Sequence, residues 1–140
     1  MGERIMSRSW TFTLAPGTQF VTANHRGHWG PRNSMTKQID KDIDTRVKQH
    51  KIPPLERASV LVEYECPPRS IRERGYKSSP RVEDHDALAP VAKAIVDAFV
   101  TAGVLADDTV EHVVPTAPRI RPEIHPRGQL FVTISEVPGG

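Results

Sequence analysis

The chain has 140 residues, of which 37% are hydrophobic and 26% charged, with 19 Lys and Arg against 17 Asp and Glu. That length suits one compact domain and is too short for two independent enzymatic domains. No apolar run approaches the 18 or more residues needed to span a bilayer, and the single cysteine, Cys66, excludes an intrachain disulfide.

The N-terminus MGERIMSRSWTF has no apolar h-region of a secretory signal. Gly2 also lacks the Ser or Thr that a myristoylation motif places four residues on. A cytoplasmic location and no membrane partner are therefore expected. Residues 9–14, SWTFTL, alternate as a strand does, and Pro16 with Gly17 then interrupts them. The polar stretch TANHRGHWGPRN reads as a loop. Residues 34–50 are rich in charge and carry Met35, Ile39, Ile43 and Val47 at spacings of four, which predicts a helix with a narrow apolar stripe. After a connector holding Pro53 and Pro54, residues 58–65 alternate Val60, Val62 and Tyr64 with Leu61, Glu63 and Glu65, the pattern of a strand. Cys66 closes that strand as a small, half-buried residue.

The segment PPRSIRERGYKSSPRVE combines Pro, Ser and Gly with five basic residues, Arg69, Arg72, Arg74, Lys77 and Arg81. It reads as a mobile basic loop. Leu88, Val91, Ala92, Ile95, Phe99 and Ala102 then repeat at helical spacing, and Gly103 stands where a left-handed cap ends a helix. Pro90 is compatible with that helix only in its first turn, where the missing N–H costs little. Two further strands are expected near 109–114 and 129–136, separated by a proline-rich turn region. The sum is a single α+β domain with a mixed sheet and packed helices.

Charge is segregated along the chain. Residues 1–83 carry 15 Lys and Arg against 9 Asp and Glu, or +6, and residues 84–140 carry 4 against 8, or −4. A basic surface beside an acidic cluster suits a nuclease, which must attract phosphates while carboxylates hold a metal. Four carboxylates flank the second helix: Asp84 and Asp86 as D-H-D before it, Asp107 and Asp108 as D-D after it. If helical phase extends back to Asp86, then Asp86, Lys93 and Asp97, 7 and 11 positions apart, fall within about 20° of one direction at about 100° per residue. Grouped carboxylates repel unless a cation compensates, and hard divalent ions prefer oxygen donors. Helix capping and an exposed turn account for the same aspartates without any metal. His25 and His28 form H-x-x-H, and His85 lies between two aspartates, but no third histidine completes a zinc site. Trp10 is assigned to the core, and Trp29 is left between core and base stacking.

The run DHDALAPVAKAIVDAFVTAGVLADDTVEHVV, residues 84–114, resembles the core motif of the RusA family of Holliday-junction resolvases, particularly forms carried by phages of actinobacteria. The family pattern is D-x-D-N-L, a helix with Lys and then Asp, A-G-hydrophobic, and D-D before a strand. Weaker similarity reaches the first strand, the loop TANHRGHWG and the final strand QLFVTISE. The resemblance implies Mg²⁺, or Mn²⁺ in its place, held by Asp84, Asp86 and Asp108, with Asp107 a less certain neighbour. It implies Lys93 as the catalytic or DNA-contacting lysine, reached by allowing three extra residues between Leu88 and Lys93, Pro90 among them. It also implies a DNA-binding loop ending at Arg81, a substrate role for Asn24, Arg26, His28 and Trp29, a homodimer, and four-way junctions as substrate. The chain departs from the pattern at Ala87, where the family has Asn. That departure keeps a second reading open, a branched-DNA-binding protein with weak or lost cleavage, beside a third, a less selective flap or fork endonuclease.

Overall fold

The computed structural model describes residues 8–16, 30–68 and 85–138, with only the backbone of residues 30–33. Strand β1 (Ser9–Thr13) leads to helix α1 (Gly30–His50), strand β2 (Ala58–Cys66), a 3₁₀ turn (His85–Leu88), helix α2 (Ala89–Thr101) and strands β3 (Val113–Val114), β4 (Arg119–Ile124) and β5 (Gln129–Glu136). This is one small α+β domain with a mixed sheet. The final strand β5 lies between β1 and β2 and pairs antiparallel with both, so β1 and β2 run the same way. The other edge of β2 is covered in two pieces. β3 pairs parallel with its start at Ala58 and Ser59, and β4 pairs parallel with its end from Glu63 to Cys66.

Period-2 patterning divides the sheet into two unlike faces. Ala58, Val60, Val62, Tyr64 and Cys66 of β2, Leu130, Val132 and Ile134 of β5 and Phe12 of β1 are buried. Against them pack the α1 stripe Met35, Ile39, Ile43 and Val47 and the α2 residues Val91, Ile95, Ala98 and Phe99. Phe12 meets Phe99 edge-on, with centroids 6.3 Å apart at 62°, the geometry aromatic quadrupoles favour. Trp10 packs at the margin of this core. The opposite sheet face is largely polar, with Ser9 and Thr11 of β1 exposed: Ser9 and Ser135 share a hydroxyl hydrogen bond of 3.0 Å, as do Thr11 and Thr133. There Arg121 lies 3.7 Å over the Phe131 ring and donates to Glu63 at 3.2 Å and Glu65 at 3.4 Å.

Several expectations change. Helix α1 begins at Gly30, inside the stretch expected to be a loop, and Cys66 is buried rather than half-buried. The strand expected over 109–114 is reduced to Val113–Val114, because the amides of His112 and Val113 both turn back to the Thr109 carbonyl at 2.9 Å. The proline-rich stretch expected to be a turn contains β4. Pro122 cannot donate to a ladder, and the register shifts between Tyr64 and Cys66 of β2, so β4 takes a bulge where its proline sits. The expected basic loop (Arg69, Arg72, Arg74, Lys77, Arg81), the loop with Asn24, Arg26, His25, His28 and Trp29, and Asp84 all lie outside the described residues.

Candidate functional site

Helix α2 is the frame of the site. Its N-cap is Leu88, which makes no side-chain capping bond, and Pro90 lies in the first turn as the sequence requires. Asp86 therefore does not cap α2. It sits in the preceding 3₁₀ turn, exposed, while its neighbours Ala87 and Leu88 point into the core. The tighter winding of that turn means that helical phase does not carry back from α2 to Asp86.

At the other end, Gly103 adopts φ +83 and ends α2. Its N–H donates to Val100 at 3.0 Å, and that of Val104 donates to Phe99 at 3.0 Å, so the last carbonyls are satisfied by a Schellman motif. Val104 and Leu105 are then buried, and the Val104 carbonyl accepts from Leu55 at 2.8 Å. This reversal returns the chain along the flank of α2 and brings the D-D turn back to the middle of the helix. Lys93 Nζ donates to Asp108 Oδ2 at 2.8 Å and to Asp97 Oδ1, one turn further on, at 3.4 Å. Asp107 Oδ1 accepts the Asp108 amide at 2.7 Å, which fixes the turn.

The electrostatics follow from these contacts. The Lys93 hydrogen bond, aided by that from Asp107, holds the Asp108 carboxyl below the usual carboxylate range. Asp108 in turn is the main cause that raises Lys93 above an ordinary lysine. A carboxylate that sequence reasoning missed joins from α1: burial, followed by repulsion from Asp97, pushes Asp40 above the ordinary carboxylate range. Asp40 follows buried Ile39 on α1, but in the sequence nothing separates it from Asp42 and Asp44, which share that helix.

Concavities flank Lys93 on two sides. One of about 530 Å³ lies between the helices, with Met35, Thr36, Pro90, Ala94 and Asp97 among its lining. Another of about 310 Å³ lies between α2 and the β3–β4 connection, with Val60, Val96, Pro115 and Asp108 among its lining. Lys93 is thus a cation between an acidic turn and two clefts, with 65% of its side chain exposed and able to reach a ligand.

Of the residues implied as metal ligands, Asp86, before α2 in the sequence, and Asp108, after it and folded back onto Lys93, are described, and Asp84 is not. Among the described residues no three His, Cys, Asp or Glu side chains form a group suited to a metal ion. The donor chemistry of Asp86 and Asp108, carboxylate oxygen only, fits a hard cation such as Mg²⁺ rather than zinc. Neither the known protein families nor the curated proteins give a match to this chain. Among the described residues no helix is long and apolar enough to cross a membrane.

Proposed function

We propose that this chain is a Mg²⁺-dependent, structure-specific DNA endonuclease that resolves four-way junctions by paired symmetric nicks, and that it acts as a homodimer. The observation that carries the reading is the contact between Lys93 and Asp108. A lysine and a D-D turn, 15 residues apart and both parts of the RusA-like run, meet on the exposed flank of α2. Segregation of positive charge into residues 1–83 supports it, since phosphate attraction and an acidic centre are both required.

In this reading Asp84, Asp86 and Asp108 would hold the divalent ion, which supplies charge neutralisation at the scissile phosphate and a more acidic bound water. Lys93 then has a separate task. Its ammonium, steered by Asp97 and Asp108, offers N–H donors to a phosphate oxygen as negative charge grows there. Asp97 keeps the lysine stem over the cleft, and the Schellman turn fixes the distance between ammonium and Asp108. Arg69, Arg72, Arg74, Lys77 and Arg81, with Asn24 and Arg26, supply contacts to the DNA backbone that position the strand without reading its sequence. Two equivalent sites on a two-fold axis match two strands related by the symmetry of a junction.

A second reading has an observation of its own. Ala87, at the position where the RusA pattern has Asn, is only 7% exposed and belongs to the core. This side chain cannot make the polar contact that an asparagine would offer, which favours a branched-DNA-binding protein with weak or lost cleavage. Cleavage of a synthetic four-way junction by wild type and by Asp86→Asn, each with and without Mg²⁺, separates the readings. Paired nicks that need both Mg²⁺ and Asp86 support the resolvase; junction binding without nicks in any divalent metal replaces it with the binding protein. Flap, fork and linear duplex substrates in the same assay test selectivity for junctions.

A further inference from the structure

Between Lys37 and Lys48, helix α1 carries four cations, Lys37, Lys41, Arg46 and Lys48, against three aspartates, Asp40, Asp42 and Asp44, a nearly balanced mixture in the sequence. Packing sorts these charges. Asp40 is half-buried on the side that meets Asp97 of α2. Asp42 accepts from Gln38 at 3.0 Å through Oδ1, and its Oδ2 is buried. Arg46 is also drawn inward, donating to the Thr13 carbonyl at 3.1 Å and to Gln49 at 2.9 Å.

What remains outside is one row. At about 100° per residue, Lys37, Lys41, Asp44 and Lys48 fall within about 60° of one another, on the side of α1 away from the buried stripe of Met35, Ile39, Ile43 and Val47. All three lysines are exposed, and so is Lys51 just past the helix. Lys48 pairs with Asp44 at 2.9 Å, whereas Lys37, Lys41 and Lys51 form no ion pair among the described residues. On the helix the row therefore sets three ammoniums against one carboxylate, or +2, and Lys51 extends it. From Lys37 to Lys48 it runs about 16 Å along the axis. It starts beside the candidate site, since Lys37 follows Thr36, which lines the same cleft as Lys93. A row of that length suits a duplex backbone, with one negative charge per about 1.7 Å of its axis, better than a single small anion.

We propose that the outer face of α1, with Lys37, Lys41, Lys48 and Lys51, is a phosphate-contacting surface that holds one duplex arm of branched DNA as it leaves the cleft beside Lys93. This rests on the reading of the chain as a DNA-binding protein and on no metal ligand. Contacts of this kind position a duplex without reading its sequence. Asp44 weakens the face, because its carboxylate neutralises Lys48.

The test uses the full chain and follows fluorescence anisotropy of a labelled four-way junction and a labelled linear duplex across a salt series, with thermal unfolding to compare the folds. Lys37→Gln, Lys41→Gln and Lys48→Gln combined should lower junction affinity about 10-fold or more at about 0.1 M salt. The slope of log affinity against log salt should fall by about 0.9 for each phosphate contact removed, so by about 1 to 3 in all. Arginine at the same three positions should retain wild-type affinity and slope. Asp44→Asn should strengthen binding, a gain that a folding defect does not produce. Unchanged affinity and slope in the glutamine variant, or no gain in Asp44→Asn, would overturn the proposal, while junction binding by wild type would leave the DNA reading standing. Vesicles of phosphatidylcholine with phosphatidylserine are the counter-probe: a glutamine variant that loses vesicle binding but keeps its DNA binding would assign the face to a lipid surface instead. A wild-type chain that binds neither junction nor duplex at low salt would overturn the DNA reading itself, and this surface with it.

Discussion

Replacing Gly103 by Ala isolates the backbone that delivers Asp108 to Lys93. Gly103 has φ +83, and a Cβ built there meets no atom within 4 Å, so no steric clash with the rest of the fold contributes. The cost is therefore conformational: about 1–2 kcal/mol for holding an L-residue in the left-handed region. It is offset by about 0.4–1 kcal/mol, because alanine restricts the unfolded chain more than glycine does. The net expectation is a destabilisation of about 1 kcal/mol. With a urea dependence of about 2 kcal/mol per molar, the unfolding midpoint should fall by about 0.5 M at unchanged slope. Gly103→Asn should lose roughly half as much, since asparagine tolerates this region better. Urea titration followed by circular dichroism measures all three proteins. A loss above about 3 kcal/mol would mean that the added carbon meets packed atoms, and no loss at all would mean that α2 does not end in a left-handed cap; either result refutes the account.

Asp108 is held below the ordinary carboxylate range by Lys93, so its contribution to stability is present above the unfolded value and lost as pH falls through the folded one. Lys93 is raised, so its share is present below the ordinary lysine value and lost as pH rises through the folded one. Asp108→Asn should therefore lower stability in denaturant titrations near neutral pH and have no effect well below the carboxylate range; a cost that persists in acid would contradict the pairing. Asp40 is shifted the other way, by burial and by Asp97. Its ionisation opposes folding, so Asp40→Asn should stabilise the protein at pH 7 and make little difference in acid, and destabilisation at pH 7 would show that the carboxylate has a partner. Phe99→Ala removes a fully buried ring that also contacts Phe12 and should cost about 3–5 kcal/mol by thermal or urea unfolding; a cost below about 1 kcal/mol would place Phe99 outside the core. Replacing Arg72, Arg74 and Lys77 together by Ala should weaken junction binding and reduce the slope of log affinity against log salt by about 0.9 for each phosphate contact removed. Unchanged affinity and slope would remove that segment from the DNA interface.

The elements with a strong period were legible in the sequence because burial on one face imposes that period on the residues themselves. The stripe of Met35, Ile39, Ile43 and Val47, the inward residues of β2 and β5, and Leu88, Val91, Ile95 and Phe99 lie in the core as expected, with Ala92 packed at its margin. Gly103 was legible for a local reason, since few other residues adopt its backbone angle without cost. The proximity of Lys93 to Asp97 followed from helical spacing alone. The strand character of β4 was not legible, because its hydrogen bonds come from β2, more than 50 residues earlier, and Pro122 disguises the pattern. Val113 and Val114 stayed in a strand while residues 109–112 did not, because the Thr109 carbonyl captures both following amides in a turn.

The candidate site divides in the same way. Sequence by itself determined which carboxylates flank α2, and that Lys93 and Asp97 within it share one helical stripe. Only the tertiary structure decided that Asp108 folds back onto Lys93, that Asp40 of α1 faces Asp97, and that His85 is tied to Ile120. Those three relations depend on the path of the chain after Gly103, on the packing of α1 against α2, and on a parallel edge strand. Each is set by the shared burial of residues distant in sequence, and no local spacing carries that information.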